Sequence, residues 1–446
     1  MKVLFTNPPW WENLEFKWGF FPTVRTGIRA GSRWPFTFES LSFPGWRFPL
    51  EYCPFPFFMA YAASYAQKAT GAEVTLRDSI VRRESYAAYF DFVAAGGFDF
   101  IFLEAATPSW EHDKKIIQRI NEISPKSKLV LTGPITNCDP ETILSNFPIV
   151  ACIQGEYEKG SVQVLNGATG VVEHQLLTTQ EMNAAPWPKF DEPMATRYLD
   201  RKPVGVKRPH AQVWSSRGCP YKCIFCVWPA TMTGNDPTGE GKRSVRYYSA
   251  EYLEPYLRHI IGKHRFRSIY FDDDTFNLGN SHTIEMCQMM KRIGLPWSAM
   301  CRADTIKMET WDVMKRSGCY GVKLGFESGN QYVVDKIVNK NLNLAYATEI
   351  VRHLRTLGMT VHGTFTIGLP GETPEEMRET LDFLRSIPLN SHQLSGTAEI
   401  EGTPLHRLRT KGKLKKYEAA SLDEHYTPLA DGRKKLAALS IELQNH

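Results

Sequence analysis

A chain of 446 residues is longer than one ordinary hydrophobic core organises and suits two domains with appendages. Charged residues at 23% and hydrophobic ones at 42% are average globular usage, which argues against long disorder, and a net charge of +5 is too small at this size to mark a nucleic-acid binder. No apolar run reaches the roughly 20 residues of a membrane span, the first residues enter a strand pattern rather than a signal peptide, and nine cysteines, an odd number, make no disulfide framework, so a cytoplasmic protein is expected.

Residues 1–160 read as an α/β domain. Apolar runs at 3–6, 73–76, 98–103, 128–131 and 149–153 alternate with helical stretches such as 56–69 and 111–122, the pattern of an open, doubly wound, Rossmann-like parallel sheet. Such sheets bind ligands outside the carboxyl ends of their strands. An insertion at 10–55 breaks the rhythm with Trp10, Trp11, Trp18, Trp34 and Trp46, and with Arg25, Arg29 and Arg33. Its aromatic content disfavours disorder, so a folded lid is expected there, the plainer alternative being a surface wrap that packs its tryptophans.

Residues 161–207 read as a linker, marked by Gly167, Gly170, Pro186, Pro188, Pro193 and Pro203. Strand signals resume at 212–215, 268–272, 297–301, 321–326, 361–367 and 392–397, with helices between them. This predicts a second α/β domain over 208–404, a partial (β/α)6 barrel with its site at the strand carboxyl ends. Residues 405–446 read as a small helical segment whose basic start, 407–416, suits a solvated face.

Three cysteines crowd the loop after the first strand of the second domain: Arg217-Gly218-Cys219-Pro220-Tyr221-Lys222-Cys223-Ile224-Phe225-Cys226. A closed structural site wants four protein ligands, so three thiolates leave a metal position open. Thiolates suit iron-sulfur clusters, and Phe225 is placed to shield one from solvent. The competing reading is a zinc site completed by a remote residue such as His264 or Cys287.

The Cys-x3-Cys-x2-Cys spacing after a first barrel strand resembles the signature of radical S-adenosylmethionine (radical SAM) enzymes. The resemblance implies a [4Fe-4S] cluster on Cys219, Cys223 and Cys226. Its open iron would chelate S-adenosylmethionine, and one-electron reduction would release a 5'-deoxyadenosyl radical. The later strand ends follow in order: Asp272, Asp273 and Asp274, Arg302, Glu327 and Ser328, and Gly368 resemble the family's cofactor-binding positions. An acidic helix cap or a magnesium site remains open for the aspartates, and a surface salt bridge for Arg302.

The first domain resembles the cobalamin-binding domain of methionine synthase and its relatives. The positions that carry the likeness are Ala105, Thr107 and Ser109 after the third strand, Thr132, Gly133 and Pro134 after the fourth, and Gly155 and Glu156 after the fifth. The loop that carries an axial histidine in that fold is here Asn7-Pro8-Pro9, so cobalamin would bind without one, unless the domain is vestigial. The expected function is a cobalamin-dependent radical SAM methyltransferase acting on an unactivated carbon, or a phosphinate phosphorus, of a small metabolite. Arg25, Arg29 and Arg33 would grip an acidic group of that substrate. An external electron donor such as flavodoxin or ferredoxin is implied, and no nucleic-acid partner. The alternatives are a cobalamin-independent radical dehydratase, epimerase or rearranging enzyme, and a non-catalytic iron-sulfur carrier.

Overall fold

A computed structural model of the chain describes residues 1–9, 11–14, 24–27, 37–38, 42–43, 46–47, 52–106, 109–200, 207–397 and 400–410. Two six-stranded parallel sheets organise it. In the first, β1 (Lys2–Asn7), β2 (Glu73–Asp78), β3 (Phe100–Glu104), β4 (Lys128–Thr132), β5 (Ile149–Ile153) and β6 (Gly170–Val172) lie in the order 6-5-4-3-1-2. The order reverses between β1 and β3, and the split connections leave a crevice at their carboxyl ends. Strand β3, Phe-Ile-Phe-Leu-Glu, is buried along its whole length, as a central strand covered on both faces requires. Phe5 and Phe102 stack across the β1–β3 pair with ring centroids 4.4 Å apart.

Strand β6 falls inside the stretch read as linker. Its three residues, Gly170-Val171-Val172, are too few to give an alternation signal, and only pairing with β5 makes them a strand.

The second sheet runs β7 (His210–Val213), β8 (Ser268–Phe271), β9 (Trp297–Cys301), β10 (Cys319–Glu327), β11 (Thr360–Ile367) and β12 (Ser391–Gly396), in sequential order and all parallel. Strand period two divides its residues. One face carries Val213, Phe271, Trp297, Val322 and Val361, which join the hydrophobic core. The other carries the polar row Gln212, Tyr270, Lys323 and His362.

Helix α1 (Phe57–Thr70), which ends on left-handed Gly71, packs the two units together. Phe57 stacks on Trp214 at 4.2 Å, and Phe58 meets Trp214 and Trp228 at 5.0 and 5.4 Å. Just ahead of it, Tyr52–Cys53 pairs antiparallel with Leu199–Asp200, and Gln212 Oε1 accepts the Phe55 N–H at 2.7 Å. The inner face of the second sheet is thus closed from below by chain from the first unit and the connector. Of the insertion, short antiparallel backbone pairings are described, Trp11–Leu14 with Val24–Gly27 among them. The arginines expected to serve a lid, Arg25, Arg29 and Arg33, lie outside the described residues as side chains, and so does the tail beyond residue 410.

Candidate active site

The cysteine loop leaves the carboxyl end of β7 through a two-residue ribbon, Ser216–Arg217 paired antiparallel with Arg246–Tyr247. Gly218 turns the chain at φ 95°, and a Cβ there would lie 2.4 Å from the Ser244 carbonyl oxygen, so only glycine fits. Its N–H donates to Asp274 Oδ2 at 3.2 Å. Farther along, the Cys226 N–H donates to the Cys223 carbonyl at 3.2 Å and the Ile224 N–H to the Val338 carbonyl at 3.0 Å. Cys223 and Phe225 pack against Val333, Ile337, Val338 and Leu369, so one side of the loop is walled by hydrocarbon.

Burial raises all three thiols, Cys219 to about 11, and the Asp274 carboxylate adds to the effect at Cys219 and Cys226. At Cys223 the cations Lys340, Arg302 and Arg243 oppose it. Half-buried cysteines, one of them beside three cations, suit a bound cluster, because coordination supplies the positive charge that keeps sulfur deprotonated and the cations offset the surplus anion. Among the described residues no three His, Cys, Asp or Glu side chains converge on one metal ion; a four-iron cluster spreads its thiolates over separate irons and does not ask them to. The two residues named for the zinc alternative are engaged elsewhere: His264 packs on Phe190 and Phe266, and Cys287 is buried beside Cys301 and Cys319.

The strand ends surround this loop. Asp273 is fully buried, and its Oδ1 accepts from Ser215 N at 3.0 Å, Ser215 Oγ at 2.9 Å and Ser216 Oγ at 2.6 Å. Asp274 takes Gly218 N and, at 3.2 Å, Thr233 Oγ1. These two carboxylates therefore tie the cysteine loop to β8. Asp272 receives the Trp214 indole N–H on its backbone carbonyl at 2.9 Å.

Arg302 is 4% exposed, so it is no surface bridge; its Nη2 donates to Asp304 Oδ2 at 2.9 Å and to the Asn341 carbonyl at 3.0 Å, with its guanidinium 3.6 Å over the Tyr221 ring. Glu327 closes β10 at φ 70°, paired with Lys340 at 2.7 Å and accepting from Thr366 Oγ1 at 3.2 Å. Buried Ser328 Oγ lies 2.8 Å from Thr380 Oγ1, and Gly368 turns at φ 71°.

Several members of the site escaped sequence reasoning. Lys340 and Arg243 look like any surface cation until the fold buries them. Lys323 and Asp200 form a buried ion pair, and Lys323 Nζ lies 4.9 Å from the centre of the Tyr270 ring. Glu372 Oε2 accepts the Leu369 N–H at 3.0 Å while its Oε1 has no hydrogen-bond partner, and burial pushes its carboxyl up to about 7.

In the first sheet the crevice is lined as its topology demands. Asn7, followed by buried Pro8 and Pro9, ends β1; it is 3% exposed, and its Nδ2 finds no hydrogen-bond partner among the described residues. Gly133, at φ 100°, lies so close to Ala105 that a Cβ would meet the Ala105 carbonyl oxygen at 2.2 Å. Thr132 Oγ1 donates to the Leu103 carbonyl at 2.9 Å, and Ser109 Oγ exchanges hydrogen bonds with Ala106 N and O at 3.0 Å. Pro134 opens the turn Pro134–Asn137, which packs on the turn Trp228–Met232 that follows the cysteines. Thr107 lies outside the described residues.

Gly155 turns at φ 72°, its Cα facing His174 so closely that a Cβ would be 2.2 Å from the ring. Glu156, expected at the crevice, is instead spent on two arginines: its carboxylate meets Arg246 at 2.7 and 2.9 Å and Arg217 at 3.2 Å. Burial opposes its charge, but those guanidiniums prevail and hold it below the usual carboxylate range.

Residues 215–384 match the radical SAM superfamily. An uncharacterised methyltransferase of Pyrococcus horikoshii is 25% identical over 372 residues, covering 78% of this chain and 77% of that protein. Cytidylyl-2-hydroxyethylphosphonate methyltransferase of Streptomyces wedmorensis is 31% identical over 258 residues, 54% of this chain and 45% of that one. Among solved structures, the radical SAM methyltransferase TsrM of Kitasatospora setae, with tryptophan and an S-adenosylmethionine analogue bound, superposes with a TM-score of 0.63 at 16% identity, over 91% of this chain and 74% of that one.

Proposed function

We propose that the chain, whose residues 215–384 match the radical SAM superfamily, is a cobalamin-dependent radical SAM methyltransferase acting on a small metabolite. The observation that carries the reading is the placement of the two strand-end sites. The turn after β4 in the first sheet packs on the turn that follows the three cysteines, so the crevice and the cysteine loop meet at one internal boundary.

When bound, the cluster supplies the electron that cleaves S-adenosylmethionine to methionine and a 5'-deoxyadenosyl radical, and cobalamin supplies a transferable methyl group. The chain holds, orients and shields these reactants. Cys219, Cys223 and Cys226 would hold the cluster, Phe225 and Leu369 would keep water from it, and Lys340, Arg302 and Arg243 would offset its charge. Asp272, Ser328 and the Gly368 turn would border S-adenosylmethionine, while Asp273 and Asp274 hold the cysteine loop for it.

The crevice fits a polar ligand on one count: the Asn7 Nδ2 at the end of β1, which has no hydrogen-bond partner among the described residues, is a donor that a ligand amide or water would satisfy. With no histidine in Asn7-Pro8-Pro9, cobalt would receive no imidazole from this loop. TsrM has also been solved with cobalamin and its cluster bound, at 15% identity. The phosphonate methyltransferase among the relatives points to an anionic metabolite as the first substrate to try. A low-potential electron carrier such as flavodoxin or ferredoxin would complete the system.

The test is anaerobic turnover with S-adenosylmethionine, hydroxocobalamin and candidate phosphonates, with mass detection of products. Equal 5'-deoxyadenosine and S-adenosylhomocysteine, together with a methylated substrate, are expected. 5'-Deoxyadenosine alone, with no corrin retained, would overturn methyl transfer and favour a dehydratase, epimerase or rearrangement.

A further inference from the structure

Two residues before the first cysteine, Arg217 is 1% exposed and sits directly opposite Arg246 in the short ribbon that launches the cysteine loop. Facing like charges across an antiparallel pair repel, and burial away from water worsens the cost. The first unit supplies the answer. Glu158 Oε1 accepts from Arg217 Nη1 at 2.7 Å, and Glu156 spans both arginines. Arg217 Nη2 donates to Tyr248 Oη at 2.8 Å, and the guanidinium lies 4.5 Å from the centre of the Tyr61 ring, 5.4 Å from Trp214 and 5.7 Å from Tyr248. Arg246 also donates to the Leu177 and Thr233 carbonyls at 2.7 and 3.2 Å.

Two cations and two anions thus balance inside an aromatic cage built from both units. Tyr61 belongs to α1, and Glu156 and Glu158 to the turn and helix start that follow β5. Such buried ion clusters are poor stabilisers compared with hydrocarbon of equal volume, because desolvation consumes most of the Coulombic gain. Here Arg217 Nε, Arg246 Nε and Glu158 Oε2 remain without hydrogen-bond partners among the described residues, which adds to the cost. What the cluster provides is registry. Charge-assisted bonds with fork geometry fix direction as well as distance, and the residue they fix is joined through Gly218 alone to Cys219.

The connection runs further. The next residue of the same turn, Tyr157, donates its hydroxyl to Glu104 Oε1 at 2.7 Å, at the carboxyl end of β3 beside the first sheet's crevice. A line of buried contacts therefore extends from crevice to cysteine loop: Glu104, Tyr157, Glu158, Arg217.

We propose that Arg217 is a positioning residue: gripped by Glu156 and Glu158, it sets where the cysteine loop, and with it the cluster's open iron, stands relative to the first sheet. This requires only the radical SAM chemistry of the second domain and does not depend on methyl transfer. It acts through the loop and touches no reactant.

The test uses the full chain, reconstituted anaerobically, with Arg217→Lys, Arg217→Met and Glu158→Gln. Iron content reports whether the cysteines still bind a cluster, and the paramagnetic spectrum of the reduced cluster, titrated with S-adenosylmethionine, reports whether the cofactor reaches the open iron correctly. The expected result is normal iron with a spectral response that needs about tenfold more S-adenosylmethionine in Arg217→Met, a smaller displacement in Arg217→Lys, and an intermediate one in Glu158→Gln. A merely structural role would lower thermal stability and leave the titration unmoved. Full iron with a wild-type titration in Arg217→Met would overturn the proposal. If that variant fails to fold, the nearly isosteric Glu158→Gln decides: an unchanged titration there overturns it, and a displaced one supports it.

Discussion

Lys340 Nζ lies 2.7 Å from Glu327 Oε1 at the carboxyl end of β10, and the same ammonium is among the cations that oppose burial at the Cys223 thiol. Gly325 makes room for the pair, since a Cβ there would be 2.7 Å from Glu327 Oε1 and 2.8 Å from Lys340 Nζ. A cation beside a cluster stabilises the reduced, more negative state. Lys340→Met should therefore move the cluster's midpoint potential to a more negative value, and Lys340→Arg should restore most of it. A potentiometric titration checks this; an unchanged potential in Lys340→Met would remove Lys340 from the site.

Each of Cys219→Ala, Cys223→Ala and Cys226→Ala should lose the cluster's visible absorbance and all S-adenosylmethionine cleavage, because two thiolates leave a second iron unheld. Cys287→Ala should keep both, since that thiol is buried behind the second sheet. Iron analysis after reconstitution distinguishes the two outcomes.

Gly133→Ala meets two obstacles, a φ of 100° and the Ala105 carbonyl oxygen at 2.2 Å. Strain of roughly 1–3 kcal/mol is expected, together with displacement of the turns that end β3 and β4 and weaker retention of added hydroxocobalamin. Gly71→Ala is the control: its φ is 69° with nothing within 4 Å of the new Cβ, so a loss of about 1 kcal/mol should leave corrin retention alone. Thermal melting and absorbance after desalting give the two readouts.

Glu372 and His282 make stability depend on pH in opposite senses. Burial lifts the Glu372 carboxyl from 4.5 to about 7, so the fold favours its protonated form; that stabilisation is complete below about pH 4.5 and lost as pH rises through 7. Glu372→Gln should remove this slope and gain up to about 3 kcal/mol at pH 8, where the wild-type carboxylate is charged. Burial lowers His282 from 6.5 to about 4, so its contribution is present above pH 6.5 and lost as pH falls toward 4. His282→Gln should flatten the acid side. Urea midpoints at several pH values test both, and a Glu372→Gln curve parallel to wild type would refute the first.

Repeating apolar runs placed eleven of the twelve principal strands within a few residues, because a strand buried on both faces or alternating across one announces itself over four or more consecutive residues. The strands 210–213 and 319–327 were found but entered two residues late, at 212 and 321. The sixth strand of the first sheet, Gly170–Val172, escaped for a related reason, being too short to show a period. The cysteine loop was equally legible as a candidate metal site, since its three thiols lie within eight residues, while the cluster chemistry assigned to it came from the resemblance to radical SAM enzymes.

What no local pattern could give was the employment of charges. Glu156 belongs by sequence to a crevice motif, yet Arg217 and Arg246, far along the chain, claim its carboxylate. Asp273 and Asp274 stand together as though to bind an ammonium, but the hydroxyls and N–H groups of 215–218 and Thr233 Oγ1 reach them first. Lys340 and Lys323 are ordinary lysines until burial makes their partners obligatory. Backbone preference and hydrophobic period act between near neighbours and are written in the chain. The cost of burying a charge depends on which distant groups surround it, and only the tertiary structure decides that.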